Sequence, residues 1–110
     1  MRGGAEHQQA IQELAQRIVR TYAPERIVLF GSYAYGTPHE DSDVDLLIIK
    51  STDEPPLQRR VAVRRLIYDT AQRLPVGLIV VTPDELRAHL DQGDQFFEEI
   101  AGRGEVLYDR

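Results

Sequence analysis

Two short groups of residues in this chain have types and spacing suited to chemistry: Gly31-Ser32, and Asp43-Val44-Asp45 after ten intervening residues. Successive side chains alternate across a strand, so Asp43 and Asp45 are expected on one face with Val44 on the other, their α-carbons roughly 7 Å apart. Two carboxylates about 4 Å apart repel by about 4 kcal/mol at a surface-like dielectric, a cost that a divalent cation relieves. Oxygen-only ligands with room for water and phosphate favour Mg²⁺, with Mn²⁺ as the alternative, over zinc. At the other group, a glycine lets the backbone approach a ligand closely. A helix starting just after it aims N–H groups at phosphate oxygens, and the Ser32 hydroxyl adds a donor. Together the groups describe a metal-bound triphosphate, an arrangement suited to phosphoryl or nucleotidyl transfer. A P-loop is excluded, because no Gly-Lys-Ser/Thr follows Gly31 at the required spacing. A plainer reading makes Asp41-Ser42-Asp43 a cap and turn cluster. That reading suffices for Asp43 alone, but Asp45, at the mouth of a buried strand, needs a partner.

The surrounding elements must hold these groups together. Between His7 and Tyr22, Ile11, Leu14, Ala15, Ile18, Val19 and Tyr22 recur at helical spacing, and Ala23-Pro24 ends the run. Ile27 to Phe30 reads as a buried strand broken by Gly31. Ser32 to Tyr35 is expected to form one helical turn closed by Gly36, followed by a polar loop, Thr37 to Ser42, and a second strand, Val44 to Ile49. Thr52-Asp53-Glu54-Pro55-Pro56 offers a cap, first-turn acids and early prolines for a helix running to about Arg73, with Val63, Leu66, Ile67, Thr70 and Leu74 on one face. Val76 to Val81 is a third strand. Thr82-Pro83-Asp84-Glu85 has the form of a capping box opening a helix to about Leu90, and a short helix follows from Asp94 to Ala101. Glu105 to Tyr108 is either an edge strand or a docked tail. This order indicates an α/β or α+β fold, a small mixed sheet flanked by helices.

The 110 residues suit a single domain, 1–110, with one core. The chain has no cysteine, which rules out disulfides and thiolate metal sites and suits a reducing cytoplasm. No apolar run approaches a membrane span, and no signal peptide is expected at Met1. A net charge of −5 argues against nucleic acid as the main partner, since duplex binding needs a basic face. Arg59, Arg60, Arg64 and Arg65 form either a solvated helix face or an anchor for an acidic partner or phosphates. His39, in the loop between the two groups, is expected to be exposed. His7 and His89 show no metal-ligand spacing. Tyr108 is expected to pack, and Phe96-Phe97 to serve either the core or a partner.

Gly31-Ser32, the ten-residue gap and Asp43-Val44-Asp45 resemble the signature of DNA polymerase β-like nucleotidyltransferases, and the chain looks most like their minimal bacterial and archaeal members. The leading helix, Phe30-Gly31-Ser32, Gly36, Asp41-Ser42-Asp43 and the late strand into Thr82-Pro83 agree. The resemblance implies a nucleotidyltransferase-like fold and Mg²⁺-dependent transfer of AMP from ATP to a hydroxyl. Gly31 and Ser32 would bind nucleotide, and Asp43 and Asp45 would serve as catalytic and metal-holding residues. It also implies an antitoxin whose partner is a small all-helical HEPN toxin modified on a tyrosine. Two departures stand out. Family members carry a third carboxylate where this chain has Gly77; of the nearest acids, Asp69, Asp84 and Glu85, the latter two are explained as a helix first turn. Arginine is common between the motif's two glycines, whereas Tyr33 and Tyr35 stand here without positive charge. The alternative is therefore a catalytically degenerate member that binds nucleotide or metal weakly and neutralises its partner by complex formation.

Overall fold

Two central strands with apolar residues on both faces require cover on both sides, and the helices supply it. The computed structural model describes residues 4–39, 42–71 and 74–110; Asp41, Arg73 and the side chain of Thr70 lie outside the described residues. In order come α1 (Gly4–Tyr22), β1 (Arg26–Phe30), a one-turn α2 (Ser32–Tyr35), β2 (Val44–Ile49), α3 (Pro56–Leu66), α4 (Tyr68–Ala71), β3 (Val76–Val81), α5 (Pro83–Asp91), α6 (Gln95–Arg103) and β4 (Glu105–Asp109). The sheet order is β3-β2-β1-β4. β1 is antiparallel to both β2 and β4, and β2 is parallel to β3, so the sheet is mixed and β4 is an edge strand.

Period-2 alternation divides the core in two. Ile27, Leu29, Val44, Leu46, Ile48, Val76, Leu78 and Val80 meet Ile11, Leu14 and Ile18 of α1 and Val63 of α3. On the other face Val28, Phe30, Leu47, Ile49 and Val81 meet Phe97 and Ile100 of α6, with Leu86 and Leu90 of α5 packed alongside. α1 stops before Pro24 as expected, with Ala23 in the left-handed region at φ 53°. Lys50 Nζ reaches back to the Tyr22 carbonyl at 2.6 Å and satisfies that helix end. Tyr108 packs against the first core, while Phe97 is buried and Phe96 half-exposed.

Three sequence expectations need correction. The third helix begins at Pro56, not in the Thr52-Asp53-Glu54 stretch, and has no acid in its first turn. Pro55 is held extended at φ −63°, ψ 155°, because the residue before a proline avoids the helical region. That helix also stops at Leu66, since Ile67 leaves helical geometry at φ −109°, ψ 9° and drops fully buried into the core before α4 starts.

The third correction concerns Arg59, which is not on a solvated face. Its side chain is buried and forks onto Glu85, with Nη1–Oε1 at 2.7 Å and Nη2–Oε2 at 3.1 Å. It also donates to the Glu54 carbonyl at 2.6 Å and the Val80 carbonyl at 3.3 Å. Glu85 serves two roles, because the expected capping box is present: its Oε1 accepts from the Thr82 amide while its own amide donates to Thr82 Oγ1. The ion pair therefore locks α3 to the start of α5 across the end of β3.

Glu85→Ala should cost about 3 kcal/mol in urea unfolding, because it strands a buried guanidinium and opens the cap. The Arg59 hydrogen bonds, then that from Thr82, hold the Glu85 carboxyl below the ordinary glutamate range. A depressed native pKa contributes stability above the unfolded value and loses it as pH falls through the native one. The difference between wild type and variant should accordingly narrow on acidification below pH 4.5, the ordinary glutamate value.

Candidate functional site

The site lies where β1 runs out and β2 begins. Phe30 pairs with Asp45 across the antiparallel ladder, and Asp45 pairs with Gly77 across the parallel one. Asp45 therefore sits on a central strand between Gly31, which follows Phe30, and Gly77 on β3. By alternation its side chain shares the face of Leu47 and Ile49, the face covered by α5 and α6. Both glycines are required by what they touch. A Cβ on Gly77 would lie 2.7 Å from Asp45 Oδ1, and a Cβ on Gly31 would collide with Asp45 Oδ2. Gly31 also adopts φ 78°, ψ −162°, a region essentially confined to glycine. The Asp45 carboxylate thus occupies a slot walled by two bare backbone segments.

From Gly31 the chain enters α2, whose first bonds run from the Ala34 and Tyr35 amides to the Gly31 carbonyl, both at 3.0 Å. The amides of Ser32 and Tyr33 lie ahead of any intrahelical acceptor. Gly36 closes the turn in the left-handed region at φ 81°, as expected. The Ser32 hydroxyl, expected to face phosphate, donates to Ser42 Oγ at 2.9 Å. Ser42 is buried, and its Oγ also accepts from the His39 amide at 2.9 Å. The sequence reading gave Ser42 a place only in a cap and turn cluster and in the resemblance; its hydroxyl in fact ties the glycine-serine turn to the foot of β2. Its signal was present, a serine flanked by acids at the foot of a buried strand. His39 is exposed, as expected.

Asp43 is exposed and precedes the first residue of β2, while Asp45 is half-buried. Burial, then the charge of Asp43, holds the Asp45 carboxyl above the ordinary aspartate range. No hydrogen-bond donor or cation among the described residues reaches either carboxylate, and no third His, Asp or Glu among them joins the pair. Gly77 stands at the register position expected for a third acid. The donor set, two carboxylates with no cation among the described residues to neutralise them, fits a hard divalent cation that completes its shell with water and phosphate oxygens.

Aromatic residues frame the turn. Tyr33 Oη lies 3.2 Å from His7 Nδ1. The Tyr35 ring carries the Arg103 guanidinium 4.0 Å from its centroid. Arg103 is a second residue the sequence reading missed, because only the packing of α6 brings it to the turn. His89 is engaged elsewhere, stacked on Phe97 and 3.0 Å from Asp94 Oδ2.

A family model described as a nucleotidyltransferase domain matches residues 9–101. A Methanocaldococcus jannaschii protein assigned as a protein adenylyltransferase is 40% identical over 63 residues, 54% of this chain and 43% of that protein. The chain therefore matches less than half the length of that relative. Among solved structures, a Sulfolobus solfataricus protein assigned as a nucleotidyltransferase superposes with a TM-score of 0.65 at 23% identity, over 100% of this chain and 90% of that one. A toxin-antitoxin structure with AMP-PNP superposes with a TM-score of 0.61 at 22% identity, over 90% of this chain and 73% of that one. These likenesses confirm the expected fold. No helix among the described residues is long and apolar enough to cross a membrane.

The raised Asp45 carboxyl makes a signed prediction. The native state holds the Asp45 proton more tightly than the unfolded chain, so stability falls as pH rises from the ordinary aspartate value through the raised one, and the cost persists above it. Asp45→Asn should therefore raise the melting temperature of the metal-free protein at pH 7. The same variant should show little further rise on adding Mg²⁺, whereas wild type should gain. Gly77→Ala, which adds the Cβ without a carboxylate, should push Asp45 from its slot and weaken the Mg²⁺-dependent gain.

Proposed function

Because the chain belongs to the nucleotidyltransferase domain family, we propose that it transfers AMP from MgATP to a hydroxyl group, the acceptor being a tyrosine of a small all-helical HEPN-type toxin that it counters as an antitoxin in the cytoplasm. The observation that carries this reading is the seating of Asp45 between Gly31 and Gly77, which sets the two aspartates beside the glycine-serine turn. The name of the M. jannaschii relative supports protein adenylylation, and the superposable toxin-antitoxin structure supports the partner class.

In this reading Gly31 and Ser32 take the phosphates, Ser32 turning its hydroxyl from Ser42 toward the ligand. Asp43 and Asp45 would hold Mg²⁺, with Mn²⁺ as a substitute, and a bound ion would supply charge neutralisation at the phosphates and leaving group. The acceptor oxygen attacks the α-phosphorus, the bond to the bridging oxygen breaks, and pyrophosphate leaves. With no carboxylate at Gly77, the hydroxyl proton passes to solvent, so turnover should be slow. Gly77 also favours a second reading, in which the chain binds nucleotide or metal weakly and neutralises its partner by sequestration.

Incubation with ATP labelled at the α-phosphate, Mg²⁺ and the helical partner separates the readings. Transfer predicts label on the partner, its loss in the Asp43→Ala/Asp45→Ala double variant, and about tenfold less with Ser32→Ala. An unlabelled partner that nonetheless binds, and a double variant that still protects cells from it, would establish sequestration instead. Gly77→Asp should not raise the labelling rate in Mg²⁺, because its Cβ, 2.7 Å from Asp45 Oδ1, would displace that carboxylate just as Gly77→Ala does.

A further inference from the structure

A triphosphate concentrates several negative charges, yet the turn proposed to receive it brings no cation: its side chains are Ser32, Tyr33, Ala34 and Tyr35. A cation arrives there from the far end of the chain. Arg103, in the last turn of α6, stacks its guanidinium on the Tyr35 ring. Tyr35 packs against the second core, the side of the sheet on which Asp45 lies. The position of α6 is determined by packing. Phe97 and Ile100 are buried in that core, and Phe96 meets Phe30 edge-on with centroids 5.7 Å apart. Gly104, next to Arg103, abuts β1 so closely that a Cβ there would lie 2.6 Å from Val28 Cγ1 and 3.1 Å from the Leu29 carbonyl oxygen. Arg103 is thereby delivered beside the stretch that runs into Gly31. Its ion pair is loose: Glu99 Oε2 is 3.6 Å away, and both side chains are more than half exposed. Such a pair exchanges readily for a stronger anion.

We infer that Arg103 is a nucleotide-phosphate-binding residue, supplying from α6 the positive charge that the Gly31–Gly36 turn lacks. Tyr35 is its platform: stacking on the ring face orients a planar fork whose N–H groups pair bidentately with phosphate oxygens. This assignment rests on the nucleotide-site reading above.

The test is equilibrium binding of MgATP and of adenosine to the full chain, the latter by competition. Arg103→Ala should weaken MgATP about tenfold or more and leave adenosine unchanged. Arg103→Lys, which keeps charge but loses the planar fork, should fall between, and Glu99→Gln should tighten MgATP by releasing the guanidinium. Because Arg103 is exposed, Arg103→Ala should melt with wild type; if it melts early, the lysine and Glu99 variants decide. Unchanged MgATP affinity in Arg103→Ala, with affinity lost in Asp43→Ala/Asp45→Ala, would overturn the role of Arg103 and leave the nucleotide site standing. Failure of wild type to bind MgATP would overturn both.

Discussion

The seating of one carboxylate organises this molecule. Asp45 projects from a central strand into a slot whose walls are the backbones of Gly31 and Gly77, so close that neither position admits a Cβ without displacing it. Three strands must be in register for this to happen: β1 must end at Phe30, β2 must place Asp45 opposite it, and β3 must bring Gly77 alongside. A one-residue slip would turn Asp45 to the opposite face and put Val44 or Leu46 in its place. β2 is apolar on both faces, so what resists the slip is Asp45 itself, whose carboxylate would be driven into the core beneath α1 and α3.

The fold treats its buried charges in two ways. Arg59 is deeply buried and each of its three guanidinium nitrogens is engaged, by Glu85, the Glu54 carbonyl and the Val80 carbonyl. That pair closes the end of the sheet remote from the aspartates. Asp45, by contrast, has no hydrogen-bond donor among the described residues, and burial and then the charge of Asp43 hold its carboxyl above the ordinary aspartate range. That contrast, a cost tolerated at one end of the sheet and avoided at the other, is the pattern on which the proposed metal site rests.

Much of this was legible along the chain. The strands were readable because each buried one is a dense apolar run bounded by glycine, proline or polar residues. The Thr82 capping box was readable because its four residues act within one helical turn. The break at Ile67 was not, since the helical spacing of apolar residues continues through it and only the core decides which of them turns inward. Arg59 was not either: beside Arg60, Arg64 and Arg65 it is one arginine among four, and its partner Glu85 lies on another helix. Ser42 carried a signal, but its hydrogen bond to Ser32 spans the whole loop.

By itself, then, the sequence determined the two motif groups, their spacing, the fold class and the absence of an acid at position 77, because these depend on residue identity and local periodicity. Only the tertiary structure decided that Gly77 is a wall of the Asp45 slot as well as a missing carboxylate. It alone placed Arg103 on Tyr35 and buried Arg59 against Glu85. The physical reason is the same each time: contacts between residues far apart in the chain are set by sheet register and helix packing, which no local pattern encodes.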